Sequence, residues 1–144
     1  RYKRTAVWAR MKAKDTGKEF FFVTTHLDHR GQEAREKGMD LILDTLKMLN
    51  PKNLPCMLVG DLNALSDNPA LARVSREMKS AQETAASTDP RYTFNGYGKS
   101  WTGIIDYIWY KGPRKCTQFR VVTRKYLHIP YISDHYPIWA DFEL

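Results

Sequence analysis

The sequence predicts a layered α/β fold, and three features predict it. Segments rich in β-branched and aromatic residues alternate with one long stretch of helical periodicity. Several of the β-rich segments are short and almost continuously apolar, as strands between covering layers are. The last segment alternates strictly, as a strand with a single apolar face does.

Taken in order, residues 5–12 read as a strand, and Asp15, Thr16, Gly17 and Lys18 supply the turn into a second strand at 19–26. The two form a hairpin, and the apolar density of the second predicts burial on both of its faces. After Gly31, the residues Ala34, Met39, Ile42, Leu43, Leu46 and Leu49 fall on one stripe of an amphipathic helix that Asn50 and Pro51 close. Residues 56–59 form a short buried strand, followed by a loop over 61–67. Asn68 and Pro69 start a shorter helix near 71–78. The polar stretch 80–89 reads as a surface loop. Further strands are expected at 104–110 and 119–123. In the final one, Tyr136, Ile138, Ala140, Phe142 and Leu144 alternate with residues of the other face. There is no internal repeat and no low-complexity segment.

With 144 residues, 42% hydrophobic and 12% aromatic, the chain has material for one globular core and is not a disordered tail. No apolar run approaches the ~20 residues needed to cross a bilayer, and Arg1, Tyr2, Lys3 and Arg4 do not open a signal peptide. The formal charge of +7 and pI near 9.5 favour polyanionic partners such as nucleic acid, phosphorylated sugars or an anionic membrane surface. The cations are nevertheless scattered from Arg1 to Lys125, as on an ordinary basic surface. Cys56 and Cys116 have neither zinc-ligand spacing nor the density of a disulfide framework.

Polar residues cluster where the expected strands end. In Thr25-His26-Leu27-Asp28-His29, an extended backbone would put His26 and Asp28 on one side. In Gly60-Asp61-Leu62-Asn63, a carboxylate and an amide share a face: hard oxygen ligands suited to Mg²⁺, with an Asn amide able to donate to a phosphoryl oxygen. Gly60 would let the backbone approach a ligand. Asp106 stands alone in the apolar run around Ile105, Tyr107 and Ile108, where a buried carboxylate requires a partner. His135, in Ser133-Asp134-His135, is a partner of the right kind: an Asp bonded to one ring nitrogen leaves the other free as a base. Each motif taken singly has an ordinary explanation as a turn, an Asx-turn or a half-exposed acid.

In this order and spacing, the four motifs resemble the DNase I-like endonuclease/exonuclease/phosphatase family, and the likeness runs from about Thr5 to Leu144. The resemblance implies a four-layer α/β sandwich of which this chain supplies roughly the C-terminal half. Residues 1–144 would be a partial domain, because the family's first strand with its Asn and a later strand with a metal-binding Glu precede the matched region. It implies a phosphoester hydrolase using Mg²⁺ or Mn²⁺. His135 would act as general base or stabilise the transition state, with Asp106 orienting it. Asp61 would position the water or bind metal, Asn63 would hold the phosphate, Asp134 would ligate metal, and His26 would bond a phosphoryl oxygen. Nuclease, deadenylase, inositol-polyphosphate phosphatase and sphingomyelinase activities all occur on this scaffold, and the charge tilts toward nucleic acid or another multiply phosphorylated substrate. The alternative is a non-catalytic phosphate-binding module or an inactive fragment. Among the aromatic residues, Trp101, in a polar loop beside Lys99 and Ser100, is the expected substrate contact, and residues 92–98 the expected substrate-facing loop.

Overall fold

The computed structural model describes residues 3–99 and 101–144; Arg1, Tyr2 and Ser100 lie outside the described residues. The strands β1 (Ala6–Lys12) and β2 (Glu19–His26) form the expected antiparallel hairpin. Helix α1 (Gln32–Leu49) crosses over to β3 (Cys56–Asp61), which runs parallel to β2. Two short pieces, a 3₁₀ turn at Pro69–Leu71 and α2 (Ala72–Glu77), lead to β4 (Lys79–Ser80) and α3 (Ala81–Thr84). β5 (Asp106–Lys111) inserts between β3 and β4, giving one five-stranded sheet ordered β1-β2-β3-β5-β4. β6 (Lys115–Val121) and β7 (Ile138–Glu143) pair antiparallel as a separate two-stranded sheet.

Two apolar clusters divide by strand alternation. Phe21, Val23, Cys56, Leu58, Tyr107 and Trp109 point to one face of the large sheet and meet Met39, Leu43 and Leu46 of α1. Met39 and Leu58 are fully buried; a side chain of this size stabilises by about 1.5–3 kcal/mol when removed from water. Met57, Ile108 and Tyr110 point to the other face and meet Phe119, Val121, Ala140 and Phe142 of the small sheet. Helices α1 and α2, the large sheet and the small sheet thus stack in that order. No helix among them is long and apolar enough to cross a membrane.

Local chemistry accounts for the boundaries. Asp28 Oδ1 accepts the N–H groups of Arg30 and Gly31 just ahead of α1, a charge well placed at a helix N-terminus. Asn50 ends the helix: its N–H bonds Leu46 and its side chain brackets both backbone groups of Leu54. Asn68 caps the 3₁₀ turn through Ala70 N–H, with Pro69 at the first position.

Three expectations need correction. β2 is fully buried on one face only: Phe21, Val23 and Thr25 are buried, whereas Phe22, Thr24 and His26 are exposed, because the small sheet packs over β3 and β5 and on this face of β2 reaches only Phe20. Residues 80–89 are not simply a surface loop, since they open with β4 and α3 and bury Ser80 and Ala81; small residues carry no periodicity that betrays their burial. β6 starts at Lys115 and ends at Val121, ahead of the expected 119–123.

Candidate active site

Strand register builds the site. His26 pairs with Asp61 across β2 and β3, and Asp61 pairs with Asp106 across β3 and β5. The three polar side chains therefore stand in one row at the strand ends. Alternation puts the row on the same face as Phe22, Met57, Val59 and Ile108, the face turned toward the small sheet. A groove of about 640 Å³, lined by Met11, Phe22, Met57, Trp139 and Phe142 among others, runs up to Asp106 and Gly60.

Within the row, His26 Nε2 lies 3.2 Å from Asp61 Oδ2. From the segment before β7, His135 brings Nδ1 to 2.8 Å of Asp106 Oδ2 and Nε2 to 3.8 Å of Asp61 Oδ2. The first of these is a hydrogen bond; the second is too long for one. With Asp106 accepting from Nδ1–H, the neutral imidazole carries its lone pair on Nε2. Asn63 sits in left-handed backbone, φ 47°, and its N–H closes an Asx turn on Asp61 Oδ1 at 2.8 Å. Its side-chain amide donates to the Leu27 carbonyl at 3.0 Å, so the other amide hydrogen and the amide oxygen remain for a ligand.

The electrostatics follow from this crowding. Burial pushes the Asp61 carboxyl up from its ordinary value and the Asp106 charge adds to the rise, against the Asn63 N–H and the two histidines. For His135, burial opposes the charged form, but the hydrogen bond and charge of Asp106, with Asp61 and Asp134 behind it, hold the imidazole above its ordinary range.

Other expected residues fall elsewhere. Asp28 does not share a face with His26, because β2 ends at His26; buried, Asp28 serves the start of α1. Gly60 makes a close approach to its own scaffold: with φ at 140°, a Cβ there would stand 1.8 Å from the Thr25 carbonyl oxygen. Asp134 lies beside His135 but not in the tight cluster; its carbonyl accepts from Asn95 and Gly96, and its carboxylate faces Ser133 Oγ at 3.3 Å. Trp101 is half exposed and packs on Phe94, ring centres 5.0 Å apart, and Phe94 meets the His135 ring edge-on at 5.1 Å. In the expected substrate-facing loop, Tyr92 and Tyr97 are exposed but Thr93 and Asn95 are buried. Sequence reasoning passed over these two; their i, i+2 spacing is the one signal that marks a shared face.

Among the described residues, the one group able to offer three ligand atoms close together is Asp61, Asp106 and His135, within 4.8 Å of one another. Two crowded carboxylates, one with its proton affinity raised, suit a hard divalent cation, which relieves the repulsion. Part of this closeness is the Asp106–His135 hydrogen bond itself, so the fit rests on Asp61 and its surroundings.

The sequence pattern of the endonuclease/exonuclease/phosphatase family matches residues 1–135, and the chain belongs to that family. No curated protein matches the sequence. The endonuclease/exonuclease/phosphatase from Bacteroides vulgatus superposes with a TM-score of 0.87 at 32% identity, covering 98% of this chain and 56% of its own. The mannosyl-6-phosphatase of Bacteroides thetaiotaomicron gives 0.86 at 31%, covering 98% and 57%. Truncated TDP2 from Caenorhabditis elegans shares the fold, with a TM-score of 0.80 at 21% identity over 98% of this chain and 60% of its own. This chain thus spans a little over half the length of the structures it matches.

Proposed function

We propose that residues 1–144 form the C-terminal part of a divalent-metal-dependent phosphoester hydrolase domain. The observation that carries this reading is the 2.8 Å bond from His135 Nδ1 to Asp106, set against the row His26–Asp61–Asp106. His135 Nε2 takes a proton from the attacking water, and Asp106 holds the ring and offsets the charge it gains. Asp61, beside Nε2, positions that water. Asn63 and His26 donate to phosphoryl oxygens, where negative charge accumulates on the way to the transition state. Asp61 and Asp134 would hold Mg²⁺ or Mn²⁺, which when bound would supply Lewis-acid stabilisation of the phosphoryl oxygens.

The basic charge and the resemblance to a mannosyl-6-phosphatase direct the substrate search to phosphorylated sugars as well as nucleic acids. The test is hydrolysis of plasmid DNA, RNA, an inositol polyphosphate, a hexose 6-phosphate and sphingomyelin by the full-length protein, with and without chelator and with His135→Ala as control. Cleavage of one substrate that chelator stops and the substitution abolishes supports the reading and names the class. If nothing is cleaved, the reading fails and a phosphate-binding module takes its place.

Trp101 belongs to the substrate side of this site. A stacked aromatic contributes about 1–3 kcal/mol per contact. Trp101→Ala should therefore raise KM on the order of tenfold and leave kcat nearly unchanged; an unaltered KM removes Trp101 from the site.

A further inference from the structure

We propose that Thr93 and Asn95 are positioning residues that set the Asp106–His135 hydrogen bond, an inference that rests on the hydrolase reading of that pair. The two partners of the bond come from different sheets: Asp106 begins β5 of the large sheet, and His135 precedes β7 of the small one. Among the described residues no strand ladder ties them together. Segment 93–96 lies between them and bonds to both sides.

Toward Asp106, Thr93 Oγ accepts the backbone N–H groups of Ile105 and Asp106, each at 3.1 Å. The N–H groups of Thr93 and Phe94 both donate to the Gly103 carbonyl at 2.9 Å. Toward His135, Tyr136 N–H donates to the Thr93 carbonyl at 2.7 Å. Asn95 and Gly96 donate from their backbones to the Asp134 carbonyl at 2.8 and 3.0 Å, and Asn95 Nδ2 donates to the Ser133 carbonyl at 3.1 Å. Backbone groups on both sides of His135, and the N–H of Asp106 itself, are thus fixed by a single four-residue segment.

Burial makes these bonds obligatory. Thr93 is 0% and Asn95 2% exposed, and a hydroxyl or amide taken from water without a partner is costly. Packing alone does not call for these residue types. Valine has the shape of threonine, but it would leave the two N–H groups at Ile105 and Asp106 without their acceptor. The side chain of Asn95 also accepts Tyr97 N–H at 2.9 Å, so its orientation is set from both ends. Phe94, between the two, lays its ring against His135.

The experiment compares Thr93→Val, Thr93→Ser and Asn95→Asp in the full-length protein. Proton NMR of the chelated protein reads the downfield His135 Nδ1–H signal that a carboxylate partner produces, assigned by its loss in His135→Ala. The signal should persist in Thr93→Ser and be lost or move upfield in Thr93→Val and Asn95→Asp. With a substrate found, Thr93→Val should lower kcat about ten- to a hundredfold with KM nearly constant, the scale expected for misplacing a reacting group by around 1 Å. Thr93→Ser should restore it, and in a His135→Ala background Thr93→Val should change kcat no further. An intact NMR signal in folded Thr93→Val, or equal losses with and without His135, overturns the proposal. Should Thr93→Val not fold, Asn95→Asp carries the same comparison with the same overturning result. If no substrate is hydrolysed, the hydrolase reading falls, while the NMR comparison still decides whether this segment sets the bond.

Discussion

Replacing His135 by alanine in the full-length protein should lower kcat by about three orders of magnitude, the contribution of a well-placed general base, and leave the fold intact. The side chain is only partly buried, and its removal opens no sealed core. Asp106→Asn is the more informative companion. An amide in place of the carboxylate keeps the shape but removes the charge that stabilises the imidazolium, so kcat should fall on the order of a hundredfold. The pH profile should also move. His135 acts only when neutral, and the carboxylates hold its proton affinity above the ordinary histidine value. In chelated protein, an NMR titration should accordingly find His135 taking up its proton at a point above about 6.5; in Asp106→Asn, that point should shift to lower pH. Stability has its own sign. In chelated protein the pair's contribution is fully present below the ordinary histidine pKa and is lost as the pH rises through the raised one. A profile that stays in place in Asp106→Asn would separate His135 from Asp106 and sink the assignment.

Gly60→Ala should destabilise the fold by about 4 kcal/mol, which adds backbone strain in a region open almost only to glycine to the cost of forcing a methyl group into a packed strand pair. The methyl would meet the Thr25 carbonyl oxygen at 1.8 Å with φ at 140°. Neither residue can give way cheaply, since Thr25 and Gly60 are partners in the β2–β3 ladder. In thermal unfolding of the full-length protein a change of this size corresponds to a loss of roughly 10 °C. Gly38→Ala is the control. It lies inside α1 with no unusual φ, and its added methyl would only touch Leu27 at 3.4 Å; it should be neutral or stabilise by about 0.5–1 kcal/mol. Equal melting temperatures for Gly60→Ala and the parent would refute the steric argument.

Where the sequence was legible, the reason was periodicity or punctuation. The stripe from Met39 to Leu49, the Asp15–Gly17 turn, the Asn68-Pro69 start and the alternation of the last strand each have a local physical cause, and each appears in the structure. The pairing of Asp106 with His135 was also readable, because a lone acid in an apolar run needs a partner and few were on offer. What could not be read was long-range. Register put Asp61 between His26 and Asp106, and no local pattern encodes which strands become neighbours. Asp28 was misplaced because a strand end two residues earlier turns a shared face into a helix start. Nor does local sequence reveal that the Cβ space at Gly60 is taken by the adjacent strand. Thr93 and Asn95 escaped because polar residues are ordinarily exposed, and only the finished fold shows the backbone groups they serve.

The row formed by His26, Asp61 and Asp106 ties chemistry to strand alignment. A slip of β3 by one residue would turn Asp61 toward the helices and present Gly60 or Leu62 in its place. Misaligned conformers therefore carry no partly working site, and Gly60, which tolerates only its own close approach to Thr25, helps reject them. The loops that follow the strands are free of this restriction. Substitutions in segments such as the one bearing Trp101 can therefore alter what is recognised while leaving the aligned row in place.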